Sequence, residues 1–343
     1  MASIPLEVLK AYGLDLQQIN AQNFGTGLIN HTWKIETADA AFILQTINQH
    51  VFPNPEAIAS NIDAVGEYLK LHSPDYFFVR PVKTLEGNSM VFADHQYFRM
   101  FPFVNGSHAK TVLTNAEEAF EAAKQFGTFT KLLSGFDNAK LQYTLPDFHN
   151  LILRYQQFEE ALLKGDHQRL ITAKQIIEQL QQKRNIVDTY HSILSNPAFK
   201  LRVTHHDTKI SNVLFDESNS GICVIDLDTL MSGYFISDLG DMMRTYLCPV
   251  SEEEKDFTKI EVRPAFYQAI IEGYCSEMGA ELSVEEKEAL PYAGEFMIYM
   301  QALRFLTDYL NNDAYYGASY PEQNFVRAGN QMVLLEKLQK LKS

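Results

Sequence analysis

The sequence predicts an α+β chain of two lobes, a small antiparallel sheet followed by a larger, mainly helical part. Three observations carry this expectation. Short β-rich runs broken by turn residues fill the chain up to Val104. From Thr114 onward, apolar residues recur at helical spacing. Inside the helical part lies one polar stretch with strands on either side, Val203 to Asp228, reading VTHHDTKISNVLFDESNSGICVIDLD.

In chain order, Pro5 to Tyr12 place apolar side chains at helical spacing and predict a short leading helix. Asn23-Phe-Gly-Thr-Gly-Leu-Ile-Asn30 follows, then strand-like runs at His31–Glu36 and Ala41–Asn48. Gly25 and Gly27, on either side of Thr26, let the backbone approach a phosphate closely and offer N–H donors. Most such glycine pairs only make a turn, so the reading of this one depends on its neighbours. Ile58, Ile62, Val65 and Leu69 mark an amphipathic helix from Pro55 to Leu71. Phe77–Val82, Ser89–Phe92 and Gln96–Val104 read as strands, with turns at Glu86-Gly87-Asn88 and Ala93-Asp94-His95. A division after Val104 gives an N-terminal lobe of residues 1–104 and a C-terminal lobe of residues 105–343.

Helices are predicted over Asn115–Leu133, with Thr114 as cap and Glu117 three residues on, over Phe148–Leu163 and over Gln168–Ser195. Further helices are predicted at Val262–Gly279, Ser283–Leu310 and Asn324–Leu341. The acidic run after Cys248-Pro reads as a solvated loop.

Hydrophobic residues make up 46% and charged residues 21%, a folded rather than a disordered balance. The formal charge of −14 disfavours nonspecific nucleic-acid binding. Three cysteines without metal-ligand spacing argue against a disulfide framework. The N-terminus lacks the pattern of a secretory signal and no apolar run reaches membrane-spanning length, which predicts a cytoplasmic protein with no membrane partner.

The stretch Val203–Asp228 holds the chemistry. Leu201–Thr204 forms a strand that enters a polar loop with His205, Asp207 and Asn212. Two β-rich runs, Asn212-Val-Leu-Phe and Ile222-Cys-Val-Ile, then lead to Asp226 and Asp228. Phosphoryl transfer needs a carboxylate to accept the proton of the attacking hydroxyl and oxygen ligands to hold magnesium on the phosphates. H-x-D-x-x-x-x-N followed by a strand ending in Asp is the order of kinase catalytic segments, with Asp207 as base and Asn212 and Asp226 sharing the metal. Hydrogen-bonded turns explain any one of these residues, but not all three in this order.

The stretch resembles the aminoglycoside phosphotransferase and choline kinase superfamily, and more closely the N-acetylhexosamine 1-kinases. FGTGLIN, FILQTIN, LSGFD, RVTHHDTKISNVLFD, VIDLDTLMSG and RFLTDYLNNDAYYGASYPEQN carry the likeness, from about residue 20 to about residue 330. The resemblance implies a protein-kinase-like two-lobe fold and an ATP- and Mg2+-dependent kinase. Its γ-phosphate acceptor would be the anomeric hydroxyl of an N-acetylhexosamine, in carbohydrate metabolism. It further implies a nucleotide site with Gly25, Thr26, Gly27 and Asn30 as cover, and a hinge at Phe101-Pro102-Phe103 that grips adenine through backbone groups. Pro102 lacks an N–H, so Met100, Phe101 or Phe103 would donate there. Protein kinases carry a phosphate-holding lysine on the third strand, where this chain has Gln45, either a neutral phosphate donor or a solvated strand residue. The resemblance also implies acceptor contacts at Asp207, Arg304 and Tyr315. Alone, Arg304 in its apolar run would suit an internal salt bridge. His205, Asp228, Asp238, Asp241 and Arg244 read as supporting residues, with Asp238 capping a helix and Asp241 or Arg244 orienting the loop. Leu28 stands where the N-acetylhexosamine kinases carry a histidine. Two alternatives remain open: a kinase for another sugar or an amino alcohol, and a nucleotide-binding regulatory protein without catalysis.

Overall fold

A computed structural model of the chain describes residues 4–25 and 29–342. The first of its two units comprises Met1–His108, Gly135–Pro146 and Leu214–Ser232. The leading helix α1 (Leu6–Ala11) starts after Pro5, whose missing N–H costs a helix start nothing. Strands β1 (Asn20–Asn23), β2 (Thr32–Glu36), β3 (Ala41–Ile47), β4 (Val91–Ala93) and β5 (Gln96–Pro102) form one antiparallel sheet in the order β1-β2-β3-β5-β4. Alternate residues face the core: Trp33, Ile35, Leu44, Phe98 and Met100 pack on Val8, Leu9 and Tyr12 of the leading segment. The register sets Gln45 opposite Arg99 and Leu44 opposite Met100.

Helix α2 (Pro55–His72) is capped by Asn54, whose side chain accepts the Ala57 N–H. Its buried Asn61 donates to the carbonyls of Gln142 (2.8 Å) and Leu230 (2.9 Å) and accepts from Gln142 N–H (2.8 Å). One side chain thereby fastens two distant segments of this unit. The predicted strand Phe77–Val82 is not part of the sheet ladder, although Val82 N–H donates to Met100 O at 2.7 Å. Strand β1 was not anticipated, because its four residues are all exposed, three of them are polar, and they carry no apolar alternation. The chain leaves the unit through the two-residue β6 (His108–Ala109).

The second unit comprises Ala109–Ser134, Asp147–Val213 and Gly233–Ser343. Its helices are α3 (Ala116–Leu132), α4 (Leu151–Lys164), α5 (His167–Thr172), α6 (Lys174–Gln182) and α7 (Asn185–Ser195). After strand β7 (Arg202–Thr204) of this unit, and β8 (Val213–Phe215), β9 (Gly221–Val224) and β10 (Met231–Gly233), which fall wholly or mostly in the first, come α8 (Phe235–Tyr246), α9 (Pro264–Met278), α10 (Val284–Glu288), α11 (Leu290–Leu310) and α12 (Gln323–Lys342). The long helix α11 packs on α8 and α12, and fifteen of its residues are buried, including Phe296, Tyr299, Phe305 and Tyr309. Gly240 of α8 faces the Ala293 carbonyl so closely that any Cβ there would displace the α11 backbone.

Two expectations are corrected here. The cap of α3 is Asn115, accepting the Glu118 N–H at 2.9 Å; Glu118 rather than Glu117 reaches back, accepting from Thr114 N–H and Oγ1. The stretch Gln168–Ser195 is not one helix but parts of three. Tertiary contacts break it: Arg169 is held by the Tyr309 carbonyl at 2.6 Å and by Asp313 at 2.5 Å, and Tyr299 Oη donates to the Leu180 carbonyl near the end of α6. The architecture is the α+β arrangement the sequence predicts, a small antiparallel sheet and a larger helical part. Among the described residues no helix is long and apolar enough to cross a membrane.

Candidate active site

In the second unit, β7 ends at Thr204 and the chain turns through His205 and His206 to Asp207. His206 has a left-handed φ of 64°, a strained conformation for a residue with a Cβ. The strain is held by Asp238, whose carboxylate accepts His205 N–H at 2.9 Å and His206 N–H at 2.7 Å. Asp241 accepts Thr208 N–H at 2.8 Å, Thr208 Oγ1 donates to the Asp238 carbonyl at 2.8 Å, and Tyr246 Oη donates to the Thr208 carbonyl at 2.6 Å. Gly233 leaves the room these groups need, since a Cβ there would collide with Thr204 Oγ1 and the His206 ring. The expectation that Asp238 caps a helix is therefore corrected. It is the fourth residue of α8, whose cap position is Tyr234, and its carboxylate points at the loop.

Asp207 is half-buried, and its backbone N–H donates to His205 Nδ1 at 3.3 Å. Asn212 Nδ2 donates to the Asp207 carbonyl at 2.8 Å and to Asp207 Oδ2 at 3.2 Å, which leaves the Asn212 amide oxygen turned away from Asp207. Lys209 Nζ lies 2.9 Å from Asp207 Oδ1. Partial loss of hydration at the ammonium of this otherwise exposed side chain works against its charge, but Asp207 and Asp241 outweigh it and hold Lys209 above its ordinary pKa. Burial pushes the Asp241 carboxyl up, against the pull of Arg244 at 2.9 Å. Arg244 also binds Glu252 at 2.9 Å, and Glu252 pairs with Arg327. The acidic loop is thus tied down at Glu252 rather than solvated throughout. Lys209 was missed in the sequence; a cation two residues past the loop aspartate was the available signal.

A cavity of about 380 Å3 opens elsewhere in the same unit, lined by Arg154, Arg304, Asp308, Tyr315 and Tyr316 among others. Among the described residues Arg304 forms no ion pair; it donates to Gln301 Oε1 at 3.3 Å and sits 5.4 to 5.8 Å from the rings of Phe148, Tyr315 and Tyr316. Asp308, in the same lining, forms no ion pair with it; its carboxylate accepts from Tyr315 N–H (2.7 Å), Tyr316 N–H (2.9 Å) and Asn324. Phe148 stacks on His149 with ring centroids 4.4 Å apart, and His149 lies 5.2 Å from His206. An aromatic chain thereby leads from Arg304 to the residue before Asp207.

In the first unit, β9 leads to Asp226, exposed and left-handed at φ 61°. Asp228, two residues on, is buried. Its carboxylate pairs with Arg99 and accepts from Asn30 Nδ2 at 2.8 Å, while its carbonyl accepts from Thr144 Oγ1 at 2.7 Å. Asn30 Oδ1 in turn accepts from Asn48 N–H at 3.0 Å. Gln45 is partly buried and bonded within the sheet: its Oε1 accepts from Arg99 Nε (3.2 Å) and Nη2 (3.0 Å), and its Nε2 donates to Thr32 Oγ1. Phe103 N–H is taken by the Ala41 carbonyl at 2.9 Å, so Phe103 offers no free donor at the predicted hinge. Met100 and Phe101 lie in β5, paired with Leu44 and Ile43. Gly25 has a φ of 77°, which a residue without a Cβ adopts freely, whereas Thr26, Gly27 and Leu28 lie outside the described residues.

Among the described residues no cluster of three or more His, Cys, Asp or Glu forms a metal cage. The donors at hand, an exposed carboxylate on Asp226 and the Asn212 amide oxygen, are hard oxygens. Each, in its own unit, is of the chemistry magnesium takes from one or two protein ligands, completing its shell with water and phosphate.

The fold has known counterparts. An aminoglycoside phosphotransferase from Alicyclobacillus acidocaldarius is 14% identical with a TM-score of 0.66, over 100% of this chain and 97% of its own. A spectinomycin phosphotransferase, solved in complex with ADP and spectinomycin, is 15% identical with a TM-score of 0.60, over 98% and 97%. A microcompartment-associated aminopropanol kinase is 16% identical with a TM-score of 0.64, over 97% and 95%. The profile of the phosphotransferase enzyme family known as APH matches residues 20–285, most of the 343-residue chain, and includes Asp207, Asn212 and Asp226. On that match the chain belongs to the APH phosphotransferase enzyme family.

Proposed function

We propose that the protein is a small-molecule kinase that transfers the γ-phosphate of ATP to the anomeric hydroxyl of an N-acetylhexosamine. Asp207 accepts the hydroxyl proton as the acceptor oxygen bonds to the γ-phosphorus and the bond to the bridging oxygen of ADP breaks. Asn212 and Asp226 hold Mg2+, which when bound neutralises phosphate charge. Lys209, fixed at 2.9 Å from Asp207, supplies a positive charge beside the reacting hydroxyl. The two-lobe division after Val104, with the nucleotide on the sheet side and the acceptor on the helical side, is part of the same proposal.

The observation that carries the acceptor class is the lining of the 380 Å3 cavity. A pocket for a cationic amino alcohol or an aminoglycoside would set aromatic faces and carboxylates around an ammonium. Here the charged lining is Arg154, Lys164 and Arg304 against Glu160 and Asp308, and burial together with Arg304 pushes the Arg154 pKa down. With cations in slight excess over carboxylates, such a lining gives a cationic acceptor little advantage and suits a neutral, hydroxyl- and amide-bearing ring that accepts guanidinium hydrogen bonds and stacks on Tyr315. The volume falls in the range of small-ligand pockets.

The test is phosphate transfer from ATP to a panel of free sugars, amino alcohols and aminoglycosides, with product position read by phosphorus NMR. An anomeric phosphate on N-acetylglucosamine or N-acetylgalactosamine supports the reading. Transfer only to an amino alcohol sinks the acceptor assignment, and ATP binding without any transfer favours a regulatory role.

A further inference from the structure

The third strand of this chain lacks the lysine that kinases use to hold nucleotide phosphates, and Gln45 stands in its sheet. The first unit nevertheless contains a buried cation at the neighbouring position of β5. Arg99 lies opposite Gln45 in the ladder, is 2% exposed, and is bracketed on one side by Gln45 Oε1 and on the other by Asp228. An arginine at that depth requires a fixed partner, because its charge is never given up and desolvation is costly. Asp228 is that partner, and it is held from two further directions by Asn30 and Thr144. Asn30 belongs to the segment after the glycine turn, and Asp228 is two residues from Asp226.

We infer that Arg99 is the positioning residue that replaces the missing lysine, fixing Asp228 to the sheet and thereby setting the Asp226 carboxylate. The inference rests on the kinase reading above. It differs from the kinase arrangement in one respect: Arg99 acts through Asp228 and does not touch the nucleotide. Asp228, engaged by Arg99 and Asn30, is correspondingly a structural carboxylate rather than a metal ligand. A glutamine at position 45 then has a chemical reason. A lysine there would set a second cation against the guanidinium, whereas the amide oxygen of glutamine accepts two of its N–H groups.

The experiment is calorimetric titration of the full-length protein with ATP, with and without Mg2+, in the native form and in Arg99→Met, Arg99→Lys and Asp228→Asn. In the native protein Mg2+ tightens ATP binding. In Arg99→Met the affinity for metal-free ATP is expected to stay unchanged while the gain from Mg2+ falls by about 10- to 100-fold, the usual effect of removing a group that orients a metal ligand. Arg99→Lys restores part of that gain. Should Arg99→Met fail to fold, Asp228→Asn is read by the same two titrations. A folded Arg99→Met that keeps the full Mg2+ gain overturns the inference, as does an equal loss with and without Mg2+, which would mean direct phosphate contact. A native protein that binds no nucleotide overturns the kinase reading itself, and the two failures are thereby told apart.

Discussion

The Asp238 carboxylate accepts the backbone N–H of His206 at 2.7 Å, and His206 is the left-handed residue immediately before Asp207. A buried carboxylate on the first turn of α8 thus sets the backbone that aims the candidate base. Asp238→Ala removes two charge-assisted bonds from buried N–H groups and is expected to cost about 3 kcal/mol of stability. Turnover should fall along with stability. Asp238→Asn keeps one acceptor oxygen and should lie between. Denaturant melts and steady-state rates check this; an alanine variant as stable as the native protein would remove the clamp from the account.

Asp207 is half-buried and makes no contact that the fold depends on for closure. Asp207→Asn should melt like the native protein and lose about 10^2- to 10^4-fold in turnover, the range for a positioned general base. Equal turnover in the variant would sink the assignment.

Lys209 projects from the loop with its side chain 48% exposed, and its ammonium pairs with Asp207. Lys209→Met is expected to leave stability within about 0.5 kcal/mol, as exposed substitutions do. Turnover should drop about 10^2-fold if the ammonium stabilises charge in transfer. A rate close to native would reduce Lys209 to a surface partner.

Arg304 borders the cavity with aromatic rings around it and no carboxylate paired to it. Replacing it by Met should raise the acceptor KM by about tenfold or more, as loss of a charged hydrogen bond does, with the ATP KM unchanged. A change confined to the ATP KM would move Arg304 out of the acceptor site.

The pair Arg202–Glu286 gives a pH prediction. Glu286 is buried, and although burial alone would raise its pKa, hydrogen bonds from Arg202 and from the N–H groups of Lys200 and Ser283 bring it below the ordinary carboxylate value. A depressed folded pKa adds stability that is full above the unfolded value of about 4.3 and is lost as pH falls through the folded value. Glu286→Gln should therefore be less stable than native at neutral pH and lose less on acidification below about pH 4.3. Parallel acid titrations of the two melts would contradict this.

Much of this was legible in the residues because the signals are local. The spacing from Asp207 to Asn212 places them in one short loop, and a turn of six residues between two β-rich runs makes β8 and β9 neighbours whatever surrounds them. Amphipathic periods placed α2, α3 and α9 within a few residues of their ends, whereas the expected helix Ser283–Leu310 is two, α10 and α11, divided at Ala289. Where the signal was mostly polar and without alternation, as in β1, or where long-range contacts cut a continuous pattern, as in α5 to α7, it failed.

By itself the sequence determined the α+β class, and it singled out Asp207, Asn212 and Asp226 as the candidates for the chemistry, because these depend on spacing along one segment. Only the tertiary structure decided the partners of the buried charges. Arg99 meets Asp228 across 129 positions of sequence and Asp238 reaches back 33 and 32 to His205 and His206, contacts set by sheet register and helix placement. A buried ion must find its counter-ion wherever the fold brings one, and no local pattern records which one that is.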